Sequence, residues 1–175
     1  MNLQQNDFEL LGLPVRFALD PSELSERWKA LQREAHPDRH AAAGEAARRV
    51  AMQWSARINE AYQRLRDPVR RAVYLCELHG EKVDGHGAAA LPPDLLMRQM
   101  TWHEQLEEAV EQSNTSAADA LAADVAAVRC EVLSRAEHLL DQAHDYTGAA
   151  AQLRTLMFVN RMEATIRDRL DAQGQ

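Results

Sequence analysis

Pro37 sits between two runs of helical period, and that interruption restricts what the chain can fold into more than any other feature of it. Proline donates no backbone hydrogen bond, and its ring disfavours the helical conformation at the preceding residue, so a helix arriving from upstream stops by His36. Upstream, Leu24, Trp28, Leu31 and Ala35 fall on one face of a helix. Downstream, Val50, Trp54, Ile58, Ala61 and Leu65 repeat the same spacing. Two such stripes joined by a short connection bury against each other, which predicts an antiparallel helical hairpin with Ala35-His36-Pro37-Asp38-Arg39 at its exposed end.

The flanking segments carry their own punctuation. Phe8 to Pro14 reads as a short apolar helix stopped by Gly12 and Pro14, lying across the base of the hairpin. Asp20-Pro21-Ser22-Glu23 supplies an N-cap, a proline at the first helical position and an acid at the third, as in a capping box. Asp67-Pro68 opens another helix, which runs through Arg71, Ala72, Tyr74, Leu75 and Leu78 to Gly80. Residues 81–93 hold breakers and no period, and are expected to link a first domain, 1–80, to a second, 94–175.

The second domain reads as three helices on short loops, an up-down-up bundle. The first spans about Asp94 to Gln112. Ser116, with Asp119 three residues on, marks the start of the second, whose stripe is Leu121, Val125, Val128, Val132, Ala136, Leu139, Ala143 and Tyr146. Gly148 is expected to turn the chain into a last helix with Leu156, Val159, Ile166 and Leu170 on its core face. Strand-type alternation is absent, so the fold class is all-α, with an L-shaped arrangement of the two domains expected.

The first bundle helix has apolar residues on two sides. At 100° per residue, Leu95, Trp102, Leu106 and Ala109 share one side, while Met97, Met100, Thr101, Glu104 and Glu108 share roughly the opposite one, with Leu96 at its border. One helix cannot turn both into a single small core. Phe158, off the centre of its own core stripe, can extend the second patch. Methionine adapts well to recognition surfaces, but spacing alone leaves open a second reading in which Met97, Met100 and Phe158 pack against the first domain or a bundle flank.

Charge narrows the partner class. The net charge is −7, and residues 94–175 hold 14 acidic against 7 basic side chains while residues 1–93 are balanced, which argues against nucleic acid. No apolar run is long enough for a membrane span and no signal core opens the chain, so a cytoplasmic protein is expected. Cys76 and Cys130 are far apart with no metal-ligand spacing, and read as buried thiols. Phosphate-binding loops are absent, and His36 and Asp38 lack a nucleophile in sequence, so no metal, cofactor or catalytic site is expected.

The His36-Pro37-Asp38 turn between these helices resembles that of the J domain, the module through which co-chaperones act on ATPase chaperones of the DnaK class. The resemblance extends to Ile58-Asn59-Glu60-Ala61-Tyr62, to Leu65-Arg66-Asp67-Pro68 and to Arg71-Ala72-Val73-Tyr74. The run Phe8 to Asp20, the ending Tyr74-Leu75-Cys76-Glu77-Leu78-His79-Gly80 and the acidic three-helix second domain are similar to the HscB family, J-type co-chaperones of iron–sulfur cluster assembly.

That resemblance implies a chaperone-binding surface at His36, Pro37 and Asp38, with Arg27, Lys29, Arg33 and Arg39 as a basic face toward an HscA-type ATPase. Glu23, Glu26 and Glu34 are interleaved with these cations, and a mixed solvated face is the alternative. It also implies that Leu96, Met97, Met100, Glu104 and Phe158 bind an IscU-type iron–sulfur scaffold, alongside possible weak self-association. Two positions depart from the family: Thr101 stands where an acid is frequent, and Ala35 where an aromatic often precedes His-Pro-Asp. The protein would then be no enzyme but an activator of its partner's ATPase. A general J-domain co-chaperone for other protein clients is the alternative, and a helical assembly factor with a chance His-Pro-Asp a more distant one.

Overall fold

A computed structural model describes residues 5–39, 44–83 and 92–173. Among the described residues the chain forms seven α-helices and no strand: α1 Asp7–Leu11, α2 Pro21–Glu34, α3 Glu45–Arg66, α4 Pro68–Leu78, α5 Pro93–Glu111, α6 Thr115–His138 and α7 Tyr146–Gln173. A five-residue π-helical segment, Leu139–Ala143, prolongs α6.

Local chemistry sets most of these boundaries. The Asn6 side chain accepts the Glu9 amide while Glu9 reaches back to the Asn6 amide, a reciprocal cap on α1, and Gly12 ends that helix at φ +65°, a conformation costly for any side chain with a Cβ. Asp20 caps α2 through the Ser22 amide at 2.8 Å, but Glu23 turns to Arg27 at 3.5 Å. Asp67 accepts from both Val69 and Arg70, with Pro68 in the first helical position of α4, as its sequence predicts.

α2 and α3 pack as the expected antiparallel hairpin, fastened by Trp28 stacked on Tyr62 at 4.5 Å and by Gln32 bonded to Ser55. α1 crosses the base, where Asp7, fully buried, pairs with Arg57 and Arg64 and its amide meets the Tyr74 hydroxyl at 3.0 Å. One expected core position of the hairpin is overturned. Val50 is 52% exposed and Ala51 is buried in its place. The pairings Gln32–Ser55 and Trp28–Tyr62 put residue 50 opposite residues beyond Glu34, where α2 has already ended, so among the described residues no helix covers Val50.

α5, α6 and α7 form the three-helix bundle. Asn114, not Ser116, starts α6, accepting the Ala117 amide at 3.1 Å. Leu121, Val125, Val128, Val132 and Ala136 are buried as the spacing predicts, but the stripe then shifts: Leu140 is buried, and Ala143 is exposed. The π segment causes the shift, because its wider turn carries an extra residue and breaks the period of three and four. The turn into α7 is made by His144 in the left-handed conformation, φ 52°, and by Asp145, which caps the Gly148 amide; Gly148 lies inside the helix. On α7, Leu156, Val159 and Ile166 are buried and Leu170 packs against the core, joined by Ala149, Ala150, Leu153 and Met162.

A continuous apolar core runs from Phe8 to Ile166, through both halves of the chain. α4 lies against α7 and α6. Polar fastenings surround that contact: the His79 ring stacks on Tyr146 at 3.6 Å, Thr147 donates to Glu81 at 2.7 Å, and Arg154 reaches the Lys82 carbonyl. Of the stretch 81–93, residues 84–91 lie outside the described residues, whereas Glu81–Val83 dock on α7 and the core and Pro93 already opens α5.

Candidate functional site

The tip of the hairpin is built by the termination of α2. The Ala35 amide makes the last helical bond, to the Leu31 carbonyl at 2.9 Å, and Pro37–Arg39 form a single tight turn closed by the Arg39 amide on the His36 carbonyl. His36 Nδ1 accepts the Asp38 amide at 3.3 Å and lies 3.6 Å from the Asp38 carboxylate, while the two side chains are 57% and 91% exposed. Groups this wet are held in direction without being desolvated, so they suit recognition by another surface rather than proton transfer.

The four cations near the tip are not equivalent. Arg39 folds back to donate to the Arg33 carbonyl at the C-terminal end of α2, where the helix dipole favours a positive charge. Arg27 is engaged by Glu23. Lys29 and Arg33 are exposed and make no ion pair with the described residues. Lys29 and Arg33, then, present charge to an incoming partner with neither an acid nor a carbonyl on them among the described residues. Between α2 and α3, Glu34, Ala35, Ala46, Ala47, Val50, Ala51 and Trp54 line an open apolar hollow that the spacing did not foresee, since it placed Val50 in the core.

On α5 the two faces separate as read from the sequence. Leu95, Trp102, Leu106 and Ala109 are buried, and the Trp102 indole donates to Asp124 at 2.6 Å. Met97 and Met100 are 71% and 66% exposed and Leu96 is 45% exposed, so the flank-packing reading fails for the two methionines. It holds in part for Phe158, which is half-buried against the core. Glu104 and Glu108 are exposed one and two turns along, continuing the apolar patch into an acidic one. Thr101 bonds its own helix at the Met97 carbonyl, 3.3 Å away, where an acid would instead extend into solvent.

Two polar groups lie within the body of the fold. Burial lowers the pKa of Arg71, opposed by Asp141, Asp67 and Glu137; its guanidinium donates to the Leu65 carbonyl and lies 4.8 Å over the Phe17 ring. Burial, with Glu81 and Glu77 nearby, pushes the Cys76 thiol up to about 11, while Cys130, expected to be buried, is exposed. A thiol so far from ionisation is a poor nucleophile and metal ligand. Among the described residues, no group of three metal-ligating side chains comes together and no helix is long and apolar enough to cross a membrane.

Sequence reasoning missed the buried Asp7–Arg57–Arg64 cluster and the contacts of Asp141. Both join residues far apart in the chain, and no local spacing signals them.

Comparison with known proteins agrees with this geometry. Residues 91–167 match a family model described as the HSCB C-terminal oligomerisation domain. The co-chaperone protein HscB homolog of Burkholderia mallei is 46% identical over 166 residues, covering 95% of this chain and 94% of the relative. That of Bordetella pertussis is 44% identical over 155 residues, 89% of this chain and 90% of its own. Among solved structures, chaperone HscB from Vibrio cholerae superposes with a TM-score of 0.80 at 37% identity, over 97% of this chain and 99% of that one. Human co-chaperone protein HscB shares the fold, with a TM-score of 0.84 at 23% identity, over 95% of this chain and 83% of that one. A hairpin ending in His36-Pro37-Asp38, a three-helix bundle with an exposed methionine face and this similarity along nearly the whole chain lead to one conclusion: the protein belongs to the HscB family of co-chaperones.

Proposed function

We propose that this chain is a J-type co-chaperone of iron–sulfur cluster maturation in the cytoplasm, divided into a J domain (1–80), a linker (81–93) and a scaffold-binding domain (94–175). His36, Pro37 and Asp38 engage an HscA-type chaperone, with Arg27, Lys29, Arg33 and Arg39 beside them. They favour its hydrolysis-competent conformation while the chaperone supplies every catalytic group. Leu96, Met97, Met100, Glu104 and Phe158 hold an IscU-type scaffold. Tethering the scaffold to the chaperone's activator raises its concentration beside the chaperone's substrate site.

The observation that carries this reading is the exposure of Met97 and Met100 on a helix whose opposite face is fully used by the core. Solvated apolar side chains of this kind suit a partner surface better than water. Glu104, on the same side, favours a partner with basic groups next to its apolar contact.

The experiment measures ATP hydrolysis by an HscA-type chaperone and calorimetric binding of an IscU-type scaffold. His36→Gln abolishes stimulation and leaves scaffold affinity intact. Met97→Ala with Met100→Ala weakens scaffold binding by about 2 kcal/mol, as for clustered hot-spot side chains, and leaves stimulation without scaffold intact. Undiminished stimulation by the first variant at saturating scaffold, or unchanged affinity in the second with its helices retained, rejects the corresponding assignment.

A further inference from the structure

Two surfaces tethered on one chain act together most effectively when their relative orientation is set. Apolar burial between α4 and α7 resists separation but is non-directional, and the polar fastenings at His79, Glu81 and Lys82 all lie where the end of α4 meets the start of α7, leaving the hairpin side to other contacts. Directional contacts are needed to choose one angle.

The Asp141 carboxylate makes such contacts. Its Oδ1 accepts the Phe17 amide at 2.6 Å and its Oδ2 the Ala18 amide at 2.8 Å. The two donors are successive backbone groups of the segment between α1 and α2, so both oxygens are engaged and the plane of the carboxylate is set. The same segment is anchored from below: the Phe17 ring is buried and lies against the Arg71 guanidinium of α4. Asp141 thus joins the start of the hairpin to the junction of α6 and α7 across more than 120 residues of chain.

The backbone that carries Asp141 is itself unusual. It is the middle residue of the π segment Leu139–Ala143, and the Leu139 carbonyl receives both the His144 and the Asp145 amides. A π turn is rare, and in other proteins it recurs at functional sites.

We propose that Asp141 is a positioning residue that sets the angle between the His36-Pro37-Asp38 end and the Met97–Met100 face, by binding the Phe17 and Ala18 amides across the junction of the two halves. This rests on the proposed function for its consequence, though not for its geometry. With the angle set, a scaffold held on α5 arrives at the chaperone in one orientation. With the carboxylate removed, both ends keep their own contacts and the shared core remains, but the scaffold samples a wider range of orientations and its effective concentration at the chaperone drops.

The test uses the full chain with Asp141→Ala and, retaining one acceptor oxygen, Asp141→Asn. Spin labels at Gln53→Cys on α3 and Ser134→Cys on α6, in a Cys130→Ser background, report the distance between the halves by pulsed dipolar spectroscopy. The parent gives one narrow distance; Asp141→Ala broadens it, and Asp141→Asn lies between. In parallel, stimulation of an HscA-type ATPase without scaffold and the affinity for an IscU-type scaffold are each unchanged. The additional stimulation produced by scaffold falls about fivefold or more, the low end of coupling between two sites.

An unchanged distance distribution overturns the proposal, as does a broadened one with full scaffold-dependent stimulation. Loss of helical signal in both variants overturns it too, since Asp141 would then be needed for folding rather than for orientation. If the parent chain neither stimulates nor binds, the proposed function fails, and the distance measurement still decides the role of Asp141.

Discussion

His36 and Asp38 show how little a residue pair does without its surroundings: exposed at a proline turn, they are oriented for contact and stay in contact with water. Cys76 is the opposite case. Its side chain is buried behind Tyr146 and beside Glu81 and Glu77, so the thiolate form is disfavoured and the pKa rises from the ordinary value near 9 to about 11. The unfolded chain loses this proton first. Stability from Cys76 is therefore complete below about pH 9 and is lost as pH rises to about 11, a change of about 2–3 kcal/mol. Urea denaturation of the parent and of Cys76→Ala across that range checks it: the difference between their stabilities shrinks with rising pH, and parallel curves contradict it. The role of Cys76 was not legible in sequence, where both thiols look alike; only packing buried one and left Cys130 in solvent.

The helices themselves were largely readable, because their start and stop signals act within one turn. Asp20-Pro21 and Asp67-Pro68 cap α2 and α4 as their spacing predicts. The division of α5 into a core side and an exposed side also follows from a period of 3.6, and the buried set Leu95, Trp102, Leu106 and Ala109 is the one expected. Errors arose where an element depends on its neighbour. Val50 keeps the spacing of its stripe but lies beyond the end of α2, and Ala143 keeps its spacing but follows a π turn that shifts the register. Asn114 and His144, which bound α6 and its extension, act through a cap and a left-handed turn that Ser116 and Gly148 imitate in sequence.

At the scale of the molecule, the shared core and the contacts of α4 with α7 predict that the two halves unfold together. Trp28 and Trp54 lie in the first half and Trp102 in the second, so in a Trp102→Phe variant fluorescence follows the hairpin while far-UV circular dichroism follows all the helices. The two denaturant transitions coincide; a hairpin that melts at a separate midpoint contradicts the shared core. Sequence alone determined the helical class, the hairpin with His36-Pro37-Asp38 at its end and the presence of apolar residues on two sides of α5, because each depends on periodicity and on the conformational limits of proline; that Met97 and Met100 stay exposed was decided by the packing. The tertiary structure alone decided that Asp7 would be buried between two arginines, that Cys76 would be sealed off, and that Asp141 would reach the Phe17 and Ala18 amides. Such contacts join segments that no local rule relates, and they form only when the packing of whole helices brings those segments within hydrogen-bonding distance.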